Sequence, residues 1–140
     1  MATYDEIQIG DSATFTKTIS ESDVYLFAGI TGDLNPAHTE AVSAANGMFK
    51  QRIAHGMLSA GFISAVLGTK LPGPGAIYVS QSLNFKGPVR VGDTVLTRVV
   101  VADLFAQKRR AMFDCTCTVA DKVVLTGEAI LMVPARPALA

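Results

Sequence analysis

Gly56-Met57-Leu58-Ser59-Ala60-Gly61-Phe62-Ile63-Ser64-Ala65-Val66-Leu67-Gly68-Thr69-Lys70-Leu71 carries no charge before Lys70 and is apolar on nearly every helical side. A helix without a polar face is expected to be buried on all sides, and this one is too short to cross a bilayer. Gly61 and Gly68 lower helix propensity, which reads either as a need for close packing or as plain tolerance. The run Leu71-Pro72-Gly73-Pro74-Gly75 breaks the segment.

Everything downstream reads as strand: Ala76 to Lys86, Thr94 to Leu104, Arg109 to Val119 and Val123 to Val133. Turns fall at Val91-Gly92-Asp93, around Ala106-Gln107-Lys108 and at Ala120-Asp121-Lys122, and such short connections imply antiparallel pairing. Upstream, Ala13 to Ile19 alternates apolar and polar as a half-buried strand does, after a Gly10-Asp11 turn. Ser20, three before Asp23, forms a capping box that opens a helix over Glu21 to Ile30, with Val24, Phe27 and Ala28 on one face and Gly32 at its end. Thr39 is the expected cap of a second helix over 40–45, which Asn46-Gly47 stops, and Met48 to Ala54 reads as a connector. One apolar helix and a large antiparallel sheet have a simple packing solution, in which the sheet curls around the helix. The expected class is α+β, as a single domain over residues 1–140, with a loose tail from Pro134 to Ala140.

Between the first helix and the central one lies Thr31-Gly32-Asp33-Leu34-Asn35-Pro36-Ala37-His38. Five residues separate Asp33 from His38, about 16 Å if extended and about 7.5 Å if helical, so the backbone must turn to bring them together. Gly32 is free to take positive φ, Pro36 locks its own φ, and Asn35 before it is pushed toward extended geometry. A carboxylate and an imidazole are unlike titratable groups, suited to removing one proton and delivering another. The plain alternatives are that Asp33 caps a turn, Asn35 is a turn residue and His38 is an ordinary polar residue at a helix start.

Phe27 to His38, followed by Ala44, by Ile53-Ala54-His55-Gly56-Met57-Leu58 and by Gln81-Ser82-Leu83-Asn84-Phe85-Lys86, resembles the MaoC-like family and its (R)-specific enoyl-CoA hydratases. The similarity runs over nearly the whole chain. It implies the hot-dog fold, which usually dimerises by extending the sheet across two subunits. It also implies that Asp33 and His38 hydrate a trans-2-enoyl thioester to the (R)-3-hydroxyacyl product without a cofactor or metal. By the same resemblance Gly56 N–H, at a helix start, is the oxyanion donor and Ser64 lines the site. Asn35 is expected to support the loop, and His55 to cap or pack.

A coenzyme A carrier has phosphates, for which Lys50, Arg52, Lys86 and Arg90 are candidate partners, each with a solvated surface charge as the alternative. No Walker loop or dinucleotide fingerprint occurs. The rival activities are dehydration of a (3R)-hydroxyacyl acyl-carrier protein, thioester hydrolysis, and binding of an acyl thioester without catalysis.

Twelve basic and twelve acidic residues cancel, so no global field favours nucleic acid or an anionic membrane. At 49% hydrophobic residues and a mean hydropathy of +0.35, the chain is apolar for a domain of this size, in keeping with subunit contacts or an apolar ligand tunnel. The start lacks the charged and apolar regions of a signal peptide, and a cytosolic protein is expected. Cys115 and Cys117 share one face of a strand, too far apart for an unstrained disulfide, and read as packed residues.

Overall fold

The computed structural model of the chain describes residues 2–39 and 52–136. Its elements are β1 (Ser12–Thr18), α1 (Glu21–Thr31), α2 (Pro36–Thr39), α3 (Gly56–Thr69), β2 (Ile77–Gln81), β3 (Asn84–Phe85), β4 (Thr94–Phe105), a 3-10 turn (Gln107–Arg109), β5 (Arg110–Val119) and β6 (Lys122–Met132). The strand expected from Ala76 to Lys86 is two strands, both paired with β6. All pairings are antiparallel, in the order β1-β4-β5-β6-β2 with β3 also beside β6.

Alternation along the strands decides which face the sheet buries. In β4, Val95, Thr97, Val99 and Val101 are buried while Leu96 and Arg98 are exposed; in β5 the buried set is Ala111, Phe113, Cys115 and Cys117. Register sets Val99 opposite Cys115 and Thr97 opposite Cys117, so the two apolar rows face the same way. Phe62, Ile63, Val66 and Leu67 of α3 complete this core, and Phe62 meets Phe15 of β1 edge to face at 6.0 Å. Each fully buried aliphatic side chain here contributes about 1.5–3 kcal/mol.

The sheet curls around α3 as expected, but it covers one side of the helix only. Met57, Gly61, Ser64, Ala65 and Gly68 form an exposed outward face, and the helix ends at Thr69 rather than Leu71. Four of those five side chains are small, so the uncovered face presents little apolar area beyond Met57. A Cβ added at Gly61 or Gly68 would meet nothing within 4 Å among the described residues, so close packing against those residues does not account for either glycine.

The capping box of α1 is complete. Asp23 N–H donates to Ser20 Oγ at 3.1 Å, and Ser20 N–H donates to Asp23 Oδ2 at 2.9 Å. The Ser20 N–H, aided by Lys17 at 3.1 Å, holds the Asp23 carboxyl below its ordinary value. Gly32 closes α1 in the left-handed conformation (φ 82°), its N–H donating to Ala28 O at 2.9 Å, which no β-carbon-bearing residue would do as readily.

Thr39 stands at the end of α2 and does not begin a helix. Its hydroxyl donates back toward Leu34 O and Asn35 O, as a threonine inside a helical turn does. The helix expected over 40–45, the Asn46-Gly47 stop and positions 48–51 of the connector lie outside the described residues. Cys115 and Cys117 are free and buried, and burial pushes the Cys115 thiol up to about 12. The expected loose tail begins tied, because Tyr4 N–H donates to Pro134 O at 2.9 Å.

Candidate active site

The segment from Thr31 to Thr39 is shaped by its own side chains. Asp33 N–H donates to Thr31 Oγ1 (3.2 Å), Asn35 N–H to Asp33 Oδ1 (3.3 Å) and Ala37 N–H to Asn35 Oδ1 (2.9 Å). Every second side chain thus takes the N–H two residues on, which is how threonine, aspartate and asparagine build turns. Asn35 also caps α2, with Pro36 at its first position, where a missing N–H costs nothing.

This bend is docked on the chain that leads into α3. Ile53 N–H donates to Ala37 O (3.1 Å), His38 Nδ1–H to Ile53 O (2.7 Å) and His55 Nε2–H to Asp33 O (2.9 Å). A carbonyl can only accept, so these bonds place the hydrogen on Nδ1 of His38 and on Nε2 of His55. Asp33 Oδ2 lies 3.9 Å from His55 Nε2, and the His38 and His55 rings stack at 3.9 Å with 27° between their planes. Phe27 packs on His55 at 4.8 Å.

Asp33 and His38 are therefore brought together as the sequence led us to expect, with a ligand-type atom of each, and one of His55, all within 4.8 Å of one another. Three such residues invite comparison with a metal site. A metal would have to lie in both imidazole planes at about 2.0–2.1 Å from a nitrogen, which two stacked rings do not allow. The nitrogen that His55 turns toward Asp33 also carries a hydrogen. The arrangement suits proton transfer, with the Asp33 side chain 52% exposed to water and His55 buried behind it at 2%.

Gly56 begins α3, so its N–H has no intrahelical carbonyl to meet and stands at the positive end of the helix. Beside it runs a cavity of about 580 Å³ bounded by His55, Gly56, Ser59, Phe85, Val124 and Leu125 among others, with Lys86 also on its wall. A β-carbon at Gly56 would stand 2.7 Å from the Phe85 ring, so only glycine keeps that approach open. Asp33 and His38 do not border this cavity; they reach its entrance through His55.

The remaining expected residues divide. Ser64 lies on the exposed outward face of α3, away from the cavity, and the serine that lines it is Ser59, one turn beyond His55. Arg52 is engaged otherwise: it pairs with Glu21 at 2.5 Å and donates to Tyr25 Oη at 2.7 Å. Arg90 is half-buried and bridges Ile53, and Lys50 lies outside the described residues. Residue type gave no role to Ser59, which no motif marks, or to Phe85, although Phe85 falls within the Gln81 to Lys86 stretch that carries part of the resemblance. His55, expected to cap or pack, does pack, buried between Phe27 and His38, but makes no cap bond, and its Nε2–H also reaches Asp33 O.

One helix cradled by a curled antiparallel sheet, with an acid and an imidazole docked near its first turn, defines a hot-dog protein. The chain belongs to the MaoC-like domain family, whose model matches residues 6–125. It is 63% identical over 133 residues to the (R)-specific enoyl-CoA hydratase of Rhodospirillum rubrum, covering 95% of this chain and 92% of that one. It is 53% identical to the 3-hydroxybutyryl-CoA dehydratase of Methylorubrum extorquens, over 95% of this chain and 85% of that one. Among solved structures, the unliganded R-hydratase PhaJ1 of Pseudomonas aeruginosa matches with a TM-score of 0.92 at 42% identity, covering 99% of this chain and 91% of that one.

Proposed function

We propose that this protein is an (R)-specific enoyl-CoA hydratase, which adds water reversibly across the double bond of a trans-2-enoyl thioester to give the (R)-3-hydroxyacyl product. The observation that supports this is the meeting of the Asp33 carboxylate and the His38 imidazole, within 4.8 Å, beside His55, which itself lines an apolar cavity together with Gly56.

Conjugation with the thioester makes C3 of the substrate electrophilic. Asp33 Oδ1 accepts from Asn35 N–H, which leaves Oδ2 to take a proton from the attacking water. The hydroxyl bonds to C3, the carbonyl oxygen gathers negative charge, and a proton reaches C2. His38, its Nδ1 committed to Ile53 O, delivers that proton from Nε2 in its charged form, and the proton that Asp33 took from water then passes back to His38, so the pair is unchanged after each turnover. The Gly56 N–H, with the dipole of α3 behind it, offers the developing oxyanion a donor that needs no rearrangement. Water and two protonatable side chains supply every atom the addition needs, so no cofactor enters. The cavity beyond Gly56 suits the acyl portion or the arm of the carrier, and Lys86 on its wall suits a phosphate.

The same proposal includes a cytosolic homodimer. No described helix is long and apolar enough to cross a membrane. β2 is one edge of the sheet, opposite β1, with Ile77, Tyr78 and Val79 exposed, and the outward face of α3 is open. A second copy extending the sheet across β2 would cover apolar surface and bring Ser64 into a closed environment. Light scattering should give twice the chain's mass, and a monomer at micromolar concentration would reject the dimer.

Crotonyl-CoA tests the activity. We expect loss of the conjugated enoyl absorbance, no free thiol, and a product of R configuration. Free thiol released without hydration would make the protein a thioesterase, and neither signal would make it a binding module. Faster turnover of the acyl-carrier-protein substrate would keep the chemistry and change the carrier.

A further inference from the structure

His55 breaks two local rules. It occupies the N-cap position of α3, where serine, threonine, aspartate or asparagine normally turns back to take a helix N–H, yet its side chain makes no cap bond. Its Nδ1 is buried with no hydrogen-bond partner among the described residues, a state that costs free energy. An aliphatic or aromatic residue would fill the space without either penalty. What the imidazole adds is contact with both reacting residues at once: Nε2–H donates to Asp33 O at 2.9 Å, and the ring lies stacked on His38.

His38 is tied to Ile53 O through Nδ1, whereas among the described residues His55 is the one side chain beyond the bend that bonds Asp33. Asp33 is half exposed, and its other bonds are to its immediate neighbours in the bend. His55 is anchored from the other side, 2% exposed, between Phe27 and the first turn of α3. Resting on the assignment of Asp33 and His38 above, we infer that His55 is a positioning residue for the hydration: as an Nε2–H donor it sets the Asp33 segment and the catalytic imidazole relative to each other and to Gly56. A hydrogen on Nδ1 in place of Nε2 would find no acceptor among the described residues and would give up the bond to Asp33 O.

The chain has two histidines, so its imidazole spectrum holds two ring systems. Long-range proton–nitrogen correlation of the whole protein should show His55 protonated on Nε2 and His38 on Nδ1. His55→Phe keeps a ring against His38 and removes the donor; His55→Gln restores a donor at nearly the position of Nε2. We expect His55→Phe to lower kcat by about tenfold to a hundredfold with KM changed no more than about twofold, and to shift the His38 resonances and the pH profile of kcat. His55→Gln should recover most of that loss. Turnover of His55→Phe within about twofold of the native enzyme, or a His55→Gln variant no better than it, would overturn the inference. If His55→Phe fails to fold, the native ring spectra and His55→Gln decide: a His55 protonated on Nδ1 sinks the proposal, and native-like kcat in His55→Gln supports it. Asp33→Asn assayed in parallel separates the two levels. Native turnover in that variant would remove the catalytic assignment itself, whereas its loss beside an unaffected His55→Phe would remove only the positioning role.

Discussion

The bend from Thr31 to Thr39 and the stretch from Ile53 to Ser59 face each other across three hydrogen bonds, and they are built on opposite principles. The bend is polar and largely exposed, and draws its shape from side chains bonding to backbone two residues away. The other stretch buries Ala54, His55 and Ser59, and draws its position from α3 and the sheet. Asp33 and His38 sit on the first and are bonded to the second. Water reaches the carboxylate on one side while the rigid part of the molecule supplies the frame on the other, so chemistry and stability respond to different substitutions.

The sharpest test of that separation is to remove the chemistry and leave the frame. Asp33→Asn keeps Oδ1 for Asn35 N–H, and His38→Asn keeps a donor for Ile53 O. Each should lower hydration by about 10²–10⁴-fold in a steady-state assay, with a melting temperature close to native. The reverse experiment is Leu67→Ala in the fully buried face of α3. It should cost about 2–5 kcal/mol in denaturant unfolding, with kcat per folded molecule nearly unchanged. A comparable loss in both measurements for either set would erase the distinction.

Gly56→Ala acts at the boundary between the two regions. Its β-carbon would meet the Phe85 ring at 2.7 Å, so both readouts should move: stability by about 1–3 kcal/mol, and hydration because the cavity entrance is obstructed. Shrinking the partner ring with Phe85→Leu in the same chain should recover part of each. Asn35→Ala removes the cap bond to Ala37 N–H, and should cost about 1 kcal/mol or less, with a fall in kcat larger than its loss of stability suggests.

The smallest effect concerns the approach to the bend. The Asp23 carboxyl is held below its ordinary value of 3.8, chiefly by Ser20 N–H, so its contribution is fully present above that value and disappears as pH falls through the lowered one. Asp23→Asn should flatten the acid side of the stability curve slightly, without changing activity near neutrality. An unchanged acid limb would show that the capping box adds nothing measurable at this helix end.

Much of the fold could be read from periodicity. The two-residue rhythm of Val95 to Val101 and of Ala111 to Cys117 names the inner face of the sheet, because successive side chains of a strand must alternate. Ser20, Asp23 and Gly32 mark the ends of α1 because caps depend on the side chains of a few adjacent residues. The apolar run of α3 misled in one respect. Hydrophobicity says what a helix tolerates around it, while the number of sides that are covered depends on how far the sheet wraps. Ser64 was assigned to the site on resemblance, and its place on the outward face follows from a helical phase that residue type alone does not reveal.

Local chemistry in the sequence determined the bend, its proline-led turn, and the pairing of a carboxylate with an imidazole, because those features depend on neighbours a few residues apart. Tertiary structure alone decided that His55, 22 residues beyond Asp33, would take its carbonyl and lie against His38, and that Phe85 would press on Gly56. Contacts between segments distant in the chain are set by how the core packs, and no spacing within either segment encodes the distance between them.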